Sequence, residues 1–411
     1  MDDLLYLLWF VQTFGAGNAK ISKILSLYES ITDAYLAVTG GYALGSQIIS
    51  ESEQRAAAAS SVDRCRQIID YCARKNIRLI PKYSKEYPEP LRNIYNPPVL
   101  LFCRGKTEIL SDEMAVTIVG TRHPSDYSKK VCERFAAELA KCGFTIASGF
   151  AVGIDITSHL AAVRAGGKTI SVLGCGLDVD YPEPNIKYRS EIMENGVFVS
   201  EKLPLEEGSR TSFPQRNRIL SGLSLGTLII EGAASSGSLV TANLAAQQGK
   251  DVFCIPPHDI LSSAYTGNVI LMRDGAKAVC RPSDIVDEYC GTFSDRLAHV
   301  EYTGRHSPFY NVMNADDDVS DIPEKNRNSE ASDNAYADAP KPEMLAEMPD
   351  VSGIEEKQAE IVRFLFKNGP TAADDIADAL DEDVSQLFMA LTELEIMGIL
   401  RQSAGQHYEV I

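Results

Sequence analysis

Apolar side chains recur at helical spacing through residues 1 to about 82: Leu4, Leu5, Leu7, Leu8 and Val11, then Ile21, Ile24, Leu25 and Tyr28, then the stretch 56–72. A repeat near 3.6 residues predicts a run of short amphipathic helices. From 83 to 290 the pattern changes. Short β-branched runs, expected to be strands at 116–120, 144–147, 169–173, 197–200, 227–231, 252–255 and 277–280, alternate with amphipathic stretches at 127–141, 155–165, 215–223 and 238–248. The runs are apolar on both faces, as strands covered by helices on each side must be. Their alternation with helices predicts an α/β fold, an extended Rossmann-like, doubly wound parallel sheet. From 291 to 350 no apolar period survives, and polar residues surround Asp316-Asp317-Asp318. Such a segment cannot bury enough surface to offset its ordering entropy and is read as an acidic disordered linker. Order is expected again over 351–411: helices at 354–366, 373–380 and 384–397, then strands 399–401 and 407–410 around Ser403-Ala404-Gly405-Gln406. Three helices and a hairpin in so short a span form a winged-helix pattern.

Charge refines the picture only once it is located. The formal net charge of −18 argues against nucleic acid at first sight. Yet 291–350 holds 13 acidic and 5 basic side chains, and 351–411 holds 12 and 4, leaving 32 and 30 for the first 290 residues. A nearly neutral body with an acidic tail can still present a local arginine cluster to an anion. The 9 cysteines include no C-x-x-C pair and no neighbouring histidine doublet, so neither a disulfide framework nor a metal site is expected. The apolar run Leu4 to Val11 follows two aspartates and is too short to span a bilayer, so a reducing cytoplasmic setting without a membrane segment is expected.

In an open parallel sheet, ligands sit beyond the carboxyl ends of the strands. Gly120-Thr121-Arg122 follows the first expected strand, and Ser148-Gly149-Phe150-Ala151-Val152-Gly153-Ile154-Asp155 follows the second. Small residues let a phosphate approach the backbone amides of a helix start, and Arg122 adds a two-pronged donor; tight βα turns alone would also need such glycines. Arg210, Phe213, Arg216, Asn217 and Arg218 crowd the segment after the fourth strand. They offer guanidinium groups for phosphates, a ring for a base and an amide for a base edge; surface solvation explains the charges but not their place where a ligand pocket is expected. Ser236 and Gly237 open a further helix, as a second phosphate cradle or a simple cap. Near Gly15-Ala16-Gly17 the same choice arises between phosphate contact and a helix cap with a turn. Asp155 and His159 lie one helical turn apart, close enough for acid–base work, with capping and packing as the plainer roles. Gly174-Cys175-Gly176 lacks the third glycine of a dinucleotide fingerprint, Val179 standing in its place, so no nucleotide cofactor is expected. Gly166-Gly167-Lys168-Thr169 lacks the upstream glycine of a P-loop, where Ala162 stands.

Taken in order, Ile118-Val119-Gly120-Thr121-Arg122, the stretch SGFAVGID from Ser148, VLGCGLDVDYPEPN from Val172, FPQRNRILSGLS from Phe213 and SGSLVTA from Ser236 closely resemble the DNA-processing protein A family, DprA or Smf. The resemblance implies a noncatalytic body, without cofactor or metal, that binds single-stranded DNA, forms homodimers and loads the RecA recombinase, protecting incoming DNA in natural transformation. It implies an N-terminal sterile-alpha-motif-like helical domain over 1–82, the Rossmann-like body over 83–290, the linker over 291–350 and a winged helix over 351–411. By the same resemblance Arg122 clamps phosphate, the loop from Ser148 to Gly153 offers amides, and Phe213, Arg216, Asn217 and Arg218 line the strand pocket. Val152 stands where the family commonly carries a cation. The expected third helix of the wing, 384–397, has no lysine or arginine, which favours protein contact over duplex reading. The rival reading is a phosphoribohydrolase of the lysine-decarboxylase-like type, with Glu231 as its acid; Leu223-Ser224-Leu225-Gly226-Thr227 departs from the P-G-G-x-G-T such enzymes carry.

Overall fold

The structure is a computed structural model that describes residues 2–40, 49–297 and parts of 356–410. The chain divides into two compact units, Met1–Val319 and Ser320–Ile411.

In the first unit, the stripe 4–11 lies in the helix Asp2–Phe14 and 21–25 in Ala19–Leu25, the stretch 56–72 divides between Glu51–Ala59 and Val62–Arg74, and Ile31–Thr39 is a further helix that the apolar pattern does not mark. Side-chain caps start four of them: Asn18, Ser30, Ser50 in a reciprocal capping box with Glu53, and Ser61. The Gly15 turn is a helix cap: Gly15, at φ 86°, donates its amide to Val11 O at 3.0 Å. Gly17 lies against protein, since a Cβ there would stand 3.0 Å from the Glu201 carboxylate.

A nine-stranded sheet follows: β1 (Arg78–Pro81), β2 (Leu100–Gly105), β3 (Ala115–Val119), β4 (Thr145–Ser148), β5 (Thr169–Val172), β6 (Gly196–Ser200), β7 (Gly226–Ile229), β8 (Asp251–Cys254) and β9 (Lys277–Ala278). Its order is β1-β2-β6-β5-β4-β3-β7-β8-β9. All seven expected strands are present, β3 to β9, and every pairing among them is parallel. The sheet is therefore mixed rather than wholly parallel, because β1 and β2 add an antiparallel flank on β6. β1 lies inside the stretch that the apolar pattern assigned to helices.

Alternate strand residues feed opposite faces. Leu101, Cys103, Val197 and Val199 join one core with Ile219 and Leu220. Phe102 and Phe198 point the other way and share a core with Leu8, Trp9 and Phe10, so the N-terminal helices roof that end of the sheet. Val116, Ile118 and Ile146 pack beside them against Phe135 and Leu139. The order of the chain reverses between β3 and β7, leaving a crevice at their carboxyl ends. The body continues past residue 290 into the helix Ser294–Leu297, where Arg296 binds Asp112 at 2.7 Å.

The second unit contains the helix Glu356–Asn368 and the antiparallel strands β10 (Thr371–Ala372), β11 (Leu400–Ser403) and β12 (His407–Val410), in the order β10-β12-β11. Ile361, Val362, Leu365, Leu391, Leu394 and Tyr408 form its core. Most of the expected helix 384–397 and of the linker 291–350 lies outside the described residues.

Candidate functional site

An open cavity of about 700 Å³ occupies the switch point between β3 and β7. Gly120, Thr121 and Arg122 border it from the end of β3. Ser236, Gly237, Ser238 and Thr241 border it after β7, and Arg210, Phe213, Arg216 and Asn217 after β6. The backbone itself closes the crevice floor: the Thr121 amide donates to Glu231 O at 2.8 Å.

Arg122 and Arg210 are exposed at its rim, and among the described residues neither has a hydrogen bond or ion pair. An aromatic pair lines the same cavity, Tyr181 and Phe213, with ring centroids 5.2 Å apart and planes 40° apart. Phe213 sits on two glycines, because a Cβ at Gly174 or Gly208 would come within 2.6 and 2.7 Å of its ring. Tyr181 is 40% exposed and free to offer its face.

Arg216 differs from the rim arginines. It is 7% exposed, donates from Nη1 to Gly149 O at 2.7 Å and to Val172 O, and from Nε to Asn217 Oδ1 at 3.1 Å. Its guanidinium ties the end of β5 to the loop after β4. Asp155 answers it: Oδ2 accepts from the Gly149 amide at 3.1 Å and the Ala151 amide at 3.3 Å. Burial pushes the Asp155 carboxyl up and the Arg216 guanidinium down, and each group's charge opposes the other's shift. A Cβ at Gly149 would meet both side chains, at 2.5 Å from Asp155 Oδ2 and 2.6 Å from Arg216, so glycine is required there.

The rest of the loop after β4 is built for shape. Gly153 has φ 87°, and a Cβ there would lie 2.5 Å from Thr121 O and 2.7 Å from Arg122 O. Gly120 likewise has only 2.7 Å to the Ile154 side chain. Ser148 is buried and donates to Ile118 O at 2.6 Å. Phe150 holds a left-handed φ of 61°, fixed by Asn185 Nδ2 donating to its carbonyl at 2.9 Å and by its ring packing edge-on to Phe198 at 5.1 Å. Thus Ser148, Phe150 and Gly153 do not line the main cavity. Gly149 and Phe150 reach only a small adjoining recess shared with Arg122, Tyr181 and Phe213.

Arg218 is placed differently from the expectation. It points away from the cavity into a bidentate pair with Glu201, at 2.8 and 2.7 Å, and donates from Nε to Asn96 O at 2.9 Å. The cause is helical geometry, since Arg216 and Arg218 lie about 200° apart around the helix Ser212–Leu223. His159 is also removed from any acid–base role: it is buried, bonded to Thr169 Oγ1 at 2.6 Å and Ser171 Oγ at 3.2 Å, and burial pushes its pKa down to about 3. Glu231 Oε2 accepts from the Ser125 amide at 3.0 Å and hydroxyl at 2.8 Å, holding the residue that caps the helix Asp126–Lys141 rather than lining the cavity. Tyr181 is the residue that sequence reasoning left out; its position just after β5, at a carboxyl end, was the available signal. Among the described residues no group of three or more His, Cys, Asp or Glu is placed to hold a metal, and no helix is long and apolar enough to cross a membrane.

A mixed α/β sheet with glycines and two exposed arginines about the crevice at its switch point places the protein in the Rossmann-like class. Comparison with known proteins makes this particular. The family model for DNA recombination-mediator protein A matches residues 78–290, and that for the DprA winged helix domain matches residues 345–406. The chain is 40% identical over 215 residues to the DNA processing protein DprA of Bacillus subtilis, covering 52% of this chain and 72% of that one. It is 35% identical over 287 residues to the DNA processing protein DprA of Streptococcus pneumoniae, covering 69% of this chain and 98% of that one. The X-ray structure of DNA processing protein A from Streptococcus pneumoniae superposes with a TM-score of 0.60 at 30% identity, over 69% of this chain and 97% of that chain. The chain belongs to the DNA recombination-mediator protein A (DprA/Smf) family.

Proposed function

We propose that the cavity binds single-stranded DNA and that the protein acts without catalysis, handing the strand to the RecA recombinase. The observation that carries this reading is the pair of unengaged guanidinium groups, Arg122 and Arg210, lining one cavity with the Tyr181–Phe213 pair. Guanidinium groups neutralise phosphates whatever the sequence, and exposed rings stack unpaired bases, so the combination favours a single strand over a duplex whose bases are already stacked. Gly120, Thr121, Ser236 and Gly237 line the same cavity, Thr121 and Ser236 with their hydroxyls. Gly149, Gly153, Phe150, Ser148 and Arg216 act one layer beneath, by fixing the loops.

Membership of the family supports the wider reading: a homodimer that protects incoming DNA during natural transformation in the cytoplasm. The same reading divides the chain into a sterile-alpha-motif-like helical domain to about residue 82, with Arg78–Pro81 counted in the sheet, then the body, the acidic linker from 291 to 350, and the winged helix. The test is competition: a labelled single-stranded oligonucleotide bound to the full chain should be displaced by unlabelled single strand and not by duplex of equal length. Displacement by both alike would overturn the strand preference. Release of base from nucleoside monophosphates would instead favour a hydrolase, a reading that Glu231 does not support because Ser125 already engages its carboxylate. RecA loading is checked by whether the protein accelerates RecA-dependent strand exchange, and dimerisation by light scattering.

A further inference from the structure

The N-terminal helices touch the two walls of the cavity through two polar links. The first begins at the turn between the helices Asp2–Phe14 and Ala19–Leu25. Asn96 Nδ2 donates to Gly17 O at 2.8 Å, Arg218 Nε donates to Asn96 O at 2.9 Å, and Arg218 forks onto Glu201. The Glu201 carboxylate is thereby held between the Arg218 guanidinium and the Gly17 turn, against which a side chain would leave only 3.0 Å. Arg218 is 8% exposed and Glu201 4%, so the pair is shielded from solvent screening. Arg218 shares its helix with Phe213, and Glu201 opens the loop that leads to Arg210.

The second link starts from the helix Val62–Arg74. Tyr71 donates its hydroxyl to Asp178 Oδ2 at 2.8 Å, and Arg104 Nη2 on β2 donates to Asp178 Oδ1 at 2.7 Å. Asp178 lies three residues before Tyr181. Arg189 fastens the same loop, donating to Leu177 O at 3.0 Å and Val179 O at 2.6 Å. One link therefore holds the wall that carries Phe213, and the other the wall that carries Tyr181.

We infer that the N-terminal helical region is a positioning part of the single-strand site: Glu201–Arg218 and Tyr71–Asp178 set the spacing of the Tyr181–Phe213 pair. Arg218 is accordingly a positioning residue and not a phosphate ligand. This rests on the single-strand reading above and deepens it. Bases stack well only on rings held at a fixed separation, so loosening either wall lowers affinity without removing any cation from the rim.

The discriminating variant is Glu201→Gln. It removes a negative charge near a site for an anion, and on charge alone it should tighten binding. A positioning role demands the opposite: about tenfold weaker binding of a single-stranded oligonucleotide, the size of one charge-assisted hydrogen bond, with the slope of log affinity against log salt unchanged. Tyr71→Phe, which removes one hydroxyl, should weaken binding about threefold with the same unchanged slope. Emission from Trp9, the one tryptophan and fully buried, reports in each variant that the helical region is still folded. Glu201→Gln binding as tightly as wild type or tighter, or Tyr71→Phe binding unchanged while the wild type binds, overturns this inference alone. Absence of binding by the wild type overturns the single-strand reading itself, and this inference with it.

Discussion

Arg122 and Arg210 stand at the rim of the cavity without partners among the described residues, whereas Arg216 and Arg218, on the adjoining helix, are engaged by protein atoms. In the sequence all four look like one basic cluster with a neighbour. In the folded chain they form two classes: rim cations available to a ligand, and buried cations that hold a strand end, a loop and a carboxylate in place. The difference shows that the number of arginines near a site overstates the charge it offers. A buried guanidinium shapes the site by what it fixes, and its removal should read out as lost stability before it reads out as lost phosphate contact.

The largest expected effect follows from that distinction. Arg216→Ala leaves Asp155 buried without its compensating charge and frees two carbonyls, so the chain should lose about 3–5 kcal/mol of stability, seen as a lower Tm by calorimetry. An unchanged Tm would place Arg216 with the rim cations. Next comes Gly153→Ala, which forces a Cβ against Thr121 O and Arg122 O at a left-handed φ. A cost of about 2–3 kcal/mol is expected from denaturant unfolding, together with weakened oligonucleotide binding through the displaced Arg122 loop. Arg122→Ala should be the converse: roughly 1–3 kcal/mol lost in single-strand affinity and a Tm within a degree or two of wild type. A large fall in Tm for Arg122→Ala would merge the two classes.

An effect that appears only in acid concerns His159. Burial holds its folded pKa at about 3, below the ordinary value near 6.5, so it contributes fully above pH 6.5 and its contribution is lost as pH falls toward 3. Stability should fall by at most about 1.4 kcal/mol per pH unit across that window on its account, and His159→Gln should flatten the acid limb of a Tm-against-pH curve. The smallest expected change is from removal of residues 298–411, which leaves the Arg296–Asp112 pair in place. That segment holds 24 acidic and 8 basic side chains, and without it single-strand affinity should stay the same or rise slightly.

Much of this architecture was legible from residue order alone. The parallel strands show as short β-branched runs, and the loops after β3 and β4 declare themselves by glycines at which a Cβ would meet the Ile154, Asp155 and Arg216 side chains or, at Gly153, backbone. β1 and β2 were not legible. Arg78–Pro81 is a four-residue edge strand ending in proline, and Leu100–Gly105 follows Pro97 and Pro98; their pairing is antiparallel and depends on partners far along the chain. The placement of Arg218 was hidden for a similar reason, since nothing local announces that Glu201 and Asn96 will meet it. Phe150 shows the same limit: SGFAVGID reads as a phosphate loop, yet its ring turns inward because Asn185 and Phe198 hold it there. Periodicity reports which face is buried; it does not report which distant polar group will claim a buried charge.

The central claim is that the rim arginines, rather than the buried ones, neutralise the phosphates of a single strand. The most direct measurement is fluorescence anisotropy of a labelled single-stranded oligonucleotide with the wild type and Arg122→Ala across a salt series. The account predicts weaker binding by the variant and a slope of log affinity against log salt shallower by about 0.7, the contribution of one phosphate contact on a single strand. Equal affinity and equal slope for the two proteins would contradict it.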